Sequence, residues 1–220
     1  MINENLSVRM GRARSWTALA ERERVSEHAK FVFYWVTFNC LYGWPPIDPE
    51  NLDKEPESQM VEIREFLARL KELARIDREN GTNILHKAIA RSAPSAKSLI
   101  ENPFLSYEYW EGDVSPERIR NFCEQDWTHA KEALDKGNDF TSILHLSFYR
   151  LTVLRNQVIH GSATASPASM GYKDSLQPGL RFLQVIIPAL LELMEKYGDS
   201  IQGWRKAPYP RRGHRDHPHT

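Results

Sequence analysis

Arg155, Asn156 and His160 lie together in RLTVLRNQVIHG, from Arg150 to Gly161. Their types and spacing suit phosphate and proton chemistry. Arginine keeps its charge at every physiological pH, and its planar fork can hold two phosphate oxygens at once, including the charge that builds in a transition state. Histidine titrates near neutrality, so it can take a proton from a hydroxyl or return one to a leaving oxygen. Asparagine can orient the imidazole or a ribose hydroxyl. RNA supplies its own nucleophile, the 2′-hydroxyl, so this set needs no metal and fits RNA much better than DNA. Arg155, Asn156 and His160 are therefore the catalytic candidates, with no cofactor-binding and no metal-binding residue expected.

The pattern alone is weak. Arg followed closely by His recurs at Arg22–His28 and at Arg212–His217. Context separates the third pair: a polar Asn follows the Arg, an apolar helix precedes it and Gly161 follows it. Arg and His near a helix C-terminus also serve as ordinary dipole partners and carbonyl caps, and that alternative stands beside the catalytic one. On a helix Asn156 and His160, four apart, share a face. Arg155 and His160, five apart, diverge by roughly 140°. One copy of the helix does not easily aim both at one phosphate. Two copies across a symmetry axis can, and so can one copy with a frayed last turn.

The elements that must position these residues read as helices throughout. Asn5 to Gly43 has apolar residues at helical spacing, with a break expected near Gly11, and its second half, FVFYWVTFNCLYG, is apolar nearly all round. Trp44-Pro45-Pro46 ends it. After a proline- and acid-rich connector, a helix from about Glu57 to Arg78 carries Met60, Ile63, Phe66, Leu67, Leu70 and Leu73 on one face and solvated charges on the other. Thr82 or Asn83 is expected to cap a short helix ending before Pro94, with Ser95 capping one more short turn. Phe104 to Gly112, FLSYEYWEG, reads as a packed aromatic loop in preference to a partner surface. Ser115-Pro116-Glu117 starts a helix that Gly137 ends. Asn138 or Asp139 opens the motif helix, and Gly161 suits its left-handed cap. Ser162 to Asp174 is expected to be a mobile loop. The last helix, from about Ser175 to Tyr197, carries Pro188, where a kink is expected.

The fold class is all-α: a helical bundle with a long first core helix and inserted short helices. Residues 1–203 form one domain, and residues 204–220 form a basic, His-rich tail expected to be disordered, with a phosphate-binding arm or a metal-binding tract as lesser alternatives. The 29 basic and 29 acidic residues of the 220 cancel, which argues against coating nucleic acid by bulk charge while allowing a local basic cleft. Two distant cysteines, Cys40 and Cys123, argue against a disulfide framework or a cysteine zinc site. No signal-peptide pattern appears, and the apolar runs at 31–38 and 185–191 are too short to span a bilayer. The expectation is a soluble cytoplasmic protein with no membrane partner. No phosphate loop, dinucleotide-binding glycine pattern, HExxH helix or nucleophile elbow is present, and no dedicated carboxylate pair for two metal ions stands out.

LRNQVIHG resembles the signature of the HEPN superfamily: Arg, a polar residue that is often Asn, a few more residues, then His. The upstream block YWVTFNCLYG, Tyr34 to Gly43, is similar to the first core helix of one HEPN branch. The resemblance implies a helical-bundle homodimer with a composite site at its interface. It implies a metal-independent endoribonuclease leaving a 2′,3′-cyclic phosphate, of the kind found in prokaryotic toxins and phage-defence effectors. Arg155, Asn156 and His160 match the signature one for one. The implied partners are tRNA, mRNA or rRNA, a second copy of the chain, and an antitoxin or regulatory protein. Some members are inactive, so the alternative is a non-catalytic helical module that binds a protein partner or a nucleotide. Asn39 and Tyr42 either approach the site or only pack, and packing is the expectation.

Overall fold

The computed structural model describes residues 4–43, 59–112, 114–137, 139–161 and 172–204. Among them are eight α-helices and no strand: α1 (Glu4–Ala20), α2 (Glu27–Tyr42), α3 (Gln59–Glu79), α4 (Ile84–Ile100), α5 (Tyr107–Glu111), α6 (Pro116–Gly137), α7 (Thr141–Ile159) and α8 (Gln177–Tyr197). Short 3₁₀ turns at Pro103–Leu105 and Gly198–Ser200 and a π turn at Tyr172–Leu176 join them. The all-α class read from the periodicity is what the chain adopts. The proline-rich connector, most of the loop after Gly161 and the tail from Arg205 lie outside the described residues.

The first core helix is two helices, and the break is not at Gly11, which lies inside α1. It falls after Ala20, where Arg24 takes a left-handed backbone (φ 65°) and Ser26 caps α2 by accepting from the Ala29 N–H at 3.3 Å. Charged, helix-favouring residues fill that break, so composition gave no sign of it. Every residue of α2 is at least partly buried, as its all-round apolar pattern predicts. Arg9 of α1, 2% exposed, donates to the carbonyls of Cys40, Leu41 and Gly43 at 3.2, 3.2 and 2.8 Å. These carbonyls at the end of α2 lack intrahelical partners, so the guanidinium caps the helix and welds α1 to α2. Burial lowers the pKa of Arg9 to about 10.

α4 corrects two expectations. It runs through Pro94 as one helix instead of stopping before it. Proline removes one intrahelical hydrogen bond, and here both Pro94 and Ala90, whose carbonyl loses its donor, are exposed to water. On the opposite side Ala88, Ile89, Ser92, Ala96 and Leu99 are buried, α4 packs closely on α8, and this packing carries the helix across the proline. The N-terminal cap comes from neither Thr82 nor Asn83. Asp77 of α3, fully buried, accepts from the Ile84 N–H at 2.6 Å, while Asn83 sits in the left-handed region.

α7 and α8 form the centre of the bundle. α8 packs against α4 and α2, and α7 against α3, α4 and α6. Phe148 of α7 stacks on Phe38 of α2 at 3.8 Å between ring centroids, and Phe182 of α8 meets Phe148 edge-on at 5.8 Å. Gly179 permits the close crossing of α8 over α7: a Cβ there would stand 2.8 Å from Leu154 Cδ2 and 3.1 Å from Leu151 Cδ2. Within Lys173–Ser200 an 18-residue window reaches a mean hydropathy of 1.2, long and apolar enough to cross a membrane by length and composition alone. In the bundle its apolar face, Leu180, Leu183, Ile187, Leu190 and Met194 among others, is buried against the other helices. Trp204, the first residue of the expected tail, is 5% exposed and donates its indole N–H to the Gly198 carbonyl at 2.8 Å.

Candidate functional site

α7 starts on Asp139, whose carboxylate accepts from the Thr141 N–H at 3.1 Å, and ends at His160, whose own N–H bonds the Asn156 carbonyl at 2.9 Å. Gly161 then takes φ +75°, the left-handed stop expected from the sequence. The motif therefore occupies the last turn. Ile159 and His160 emerge into solvent, with Ile159 53% exposed.

Arg155 points toward α2 and the start of α3. Its Nη2 donates to Gln59 Oε1 at 2.8 Å, and its guanidinium carbon lies 5.7 Å from the centre of the Trp35 ring. Gln59 Nε2 donates to the Tyr42 hydroxyl at 2.6 Å, and that hydroxyl donates to Asn39 Oδ1 at 2.8 Å. Tyr42 is buried and packs on Phe38 and Phe66, as expected of it. It also reaches Arg155 through Gln59, the approach to the site that stood as the alternative to packing. Burial raises its pKa, the Gln59 hydrogen bond and Arg155 acting against the rise. The phenol thus stays protonated throughout the physiological range and remains a donor.

Among the described residues the partners of the half-buried guanidinium are neutral. Among the described residues no carboxylate pairs with Arg155, and its Nε is buried without a hydrogen-bond partner. A buried cation without an anion is costly, and an unfilled N–H beside it adds to that cost. The arrangement can accept an anion with oxygen acceptors, a phosphodiester among them.

Asn156 and Gln157 point the other way. Asn156 Nδ2 donates to the Tyr107 hydroxyl at 2.9 Å, and Gln157 Nε2 donates to the Phe104 carbonyl at 2.9 Å. Asn156 thus braces α5 rather than orienting the imidazole. No side-chain hydrogen bond among the described residues joins Arg155, Asn156 and His160 to one another. Arg155 and Asn156 thus face different elements, α3 and α5.

FLSYEYWEG is a 3₁₀ turn followed by α5, and it is less packed than expected. Trp110 is 60% exposed, Phe104 47% and Tyr107 37%. The backbone beneath these rings is nonetheless held in place. Arg150, 3% exposed, donates to the Leu105 carbonyl at 3.3 Å, to Cys123 Sγ at 3.3 Å and to Asp126 at 3.2 Å. Asn102 accepts from the Phe104 N–H and donates to the Asp174 carbonyl and Ser175 Oγ, each at 3.0 Å. Glu108 accepts from Ser106, and this bond holds its carboxyl below the usual range. Burial raises the pKa of Asp126 against the pull of Arg150.

Sequence reasoning missed Gln59, Trp35 and Tyr107. Gln59 and Tyr107 carry no motif and reach Arg155 and Asn156 only through tertiary structure. Trp35, Asn39 and Tyr42 all lie in YWVTFNCLYG, the block already noted for its resemblance, and that was the available signal. No group of three or more His, Cys, Asp or Glu side chains able to hold a metal occurs among the described residues. Compared with family models, with curated proteins and with solved structures, the chain matches none of them.

Proposed function

We propose that the protein is a metal-independent endoribonuclease of the HEPN type, acting in the cytoplasm as a toxin or phage-defence effector. The observation that carries this reading is Arg155: a half-buried cation with neutral partners, at the end of an apolar helix whose next exposed polar group is His160. Arg155 binds the non-bridging oxygens of the scissile phosphodiester and their growing charge. One histidine takes the proton of the 2′-hydroxyl as its oxygen attacks phosphorus. The P–O5′ bond breaks, and the leaving oxygen receives a proton from a second imidazole or from water. The products are a 2′,3′-cyclic phosphate and a 5′-hydroxyl end. Five residues of helix separate Arg155 from His160 by roughly 140°, which favours two copies of the chain across a twofold axis as the source of the two groups on one phosphate. The substrate is tRNA, mRNA or rRNA, and an antitoxin or regulatory partner restrains the activity.

Induced expression tests this reading in cells. Wild type slows growth, and His160→Ala restores it at equal protein level. Equal toxicity of the two forms contradicts the role given to His160.

The exposed Phe104, Tyr107 and Trp110 favour a second reading, a non-catalytic module that binds a protein partner. Under it Arg155 serves as a brace between α7 and Gln59 and His160 as the exposed end of the helix, and replacing them changes stability but no RNA.

A further inference from the structure

We propose that Gln59 is the positioning residue of Arg155, and that Tyr42 and Asn39 set the direction in which Gln59 faces. The inference rests on the reading of Arg155 as the phosphate-binding group. The hydrogen bonds admit one direction. Arginine has only donors, so the amide oxygen of Gln59 must face it. The amide nitrogen must then face Tyr42 and donate to its hydroxyl oxygen. That hydroxyl spends its proton on Asn39 Oδ1. Arg155, Gln59, Tyr42 and Asn39 form one chain of hydrogen bonds linking the end of α7 through α3 to α2, and such chains strengthen each bond along them.

The geometry restricts the guanidinium in two ways. Trp35, 2% exposed, lies beside it, with the guanidinium carbon 5.7 Å from the ring centre, and Gln59 holds Nη2. A long side chain on a helix end would otherwise sample many rotamers, and each would have to be given up when substrate binds. Nε is left buried and unpartnered, while the remaining Nη protons have no partner among the described residues. Gln59 thus fixes the fork without neutralising it. A carboxylate at position 59 would fix it equally well but cancel the charge that phosphate needs.

The test compares wild type with Gln59→Met, which keeps the length of the side chain and removes both hydrogen bonds. Arg155 guanidinium signals are followed by ¹⁵N NMR and assigned with Arg155→Lys. Cleavage of a mixed-sequence single-stranded RNA is measured in parallel, with a thermal melt to confirm folding. In wild type the Nε and Nη protons exchange slowly, and in Gln59→Met they collapse into averaged signals. The kcat falls about 10- to 100-fold, the cost of an ångström-scale misplacement, while KM moves far less. Tyr42→Phe, which leaves Gln59 in place but undirected, gives an intermediate loss of both. Unchanged Arg155 signals in Gln59→Met and Tyr42→Phe overturn the proposal, whatever the RNA shows. Arg155 signals released by Gln59→Met, with RNA left intact by wild type itself, uphold the positioning and overturn the ribonuclease reading.

Discussion

The Asn156 amide donates to the Tyr107 hydroxyl at 2.9 Å, across 49 residues of chain. Together with the Gln157–Phe104 bond, it fastens the aromatic turn and α5 to the motif helix. The last turn of α7 is therefore gripped on two sides, by α5 through Asn156 and by α3 through Arg155. Its end does not fray freely, and the route to a one-copy site through an unwound last turn is the less favoured one.

That contact is measurable by a double-mutant cycle. Tyr107→Phe and Asn156→Ala each remove the same hydrogen bond, so the double mutant loses less stability than the two single losses summed. A coupling of about 0.5–1 kcal/mol is expected from urea melts, the size of an exposed neutral hydrogen bond. Strict additivity would show that the contact does not form in solution.

Arg150 supports the ledge from inside the core. Its guanidinium reaches Leu105, Cys123 and Asp126 while only 3% exposed. Asp126→Asn removes the only carboxylate that pairs with Arg150 among the described residues and strands a buried cation. A loss of about 2–3 kcal/mol is expected. Arg150→Met removes the charge together with its need for a partner, so its cost is expected to be the smaller one. Thermal melts of the two variants rank them, and the reverse order would contradict the role given to the charge.

Gly179 sets the distance between α8 and α7. Leu151, Leu154 and Phe31 are all essentially buried and close the space around it. Alanine is the better helix former, yet Gly179→Ala is expected to destabilise by about 1–3 kcal/mol, because overpacking outweighs propensity at this crossing. A stabilised variant in thermal melts would show that the helices can separate at little cost.

His145 gives the bundle a pH dependence. Burial first, and then Arg64, lower its pKa from the ordinary value of 6.5. Its Nε2 accepts from Arg64 Nε at 3.2 Å, so the neutral ring is the one that fits. The unfolded chain binds the proton more readily than the folded one. Stability is therefore full above pH 6.5 and declines as the pH falls through 6.5 toward the folded value. Urea melts at pH 7.5 and pH 5.5 should show a smaller decline for His145→Gln than for wild type. Equal declines would assign the effect to other groups.

The sequence signals that read well were the local ones. Ser115-Pro116-Glu117 and Gly137 bound α6, and Gly161 ends α7, because caps and stops depend on a few adjacent residues. The break between α1 and α2 escaped notice because Glu21 to Ser26 contains neither proline nor glycine. Pro94 misled for the opposite reason: a strong local breaker lost to packing along α4 and α8. The position of Arg155 and His160 at a helix end was legible from spacing. Their surroundings were not, since Gln59 meets Arg155 across 96 residues. Likewise the aromatic content of FLSYEYWEG suggested burial, but Arg150 and Asn102 hold its backbone from below and leave Phe104 and Trp110 outside.

The most direct test incubates purified wild type and His160→Ala with total cellular RNA in EDTA and maps the fragment ends. Fragments bearing a 2′,3′-cyclic phosphate with wild type, absent with a folded His160→Ala, are the expected result. Intact RNA with a folded, dimeric wild type, or the same cuts with both proteins, would contradict the assignment of Arg155 and His160 to RNA cleavage.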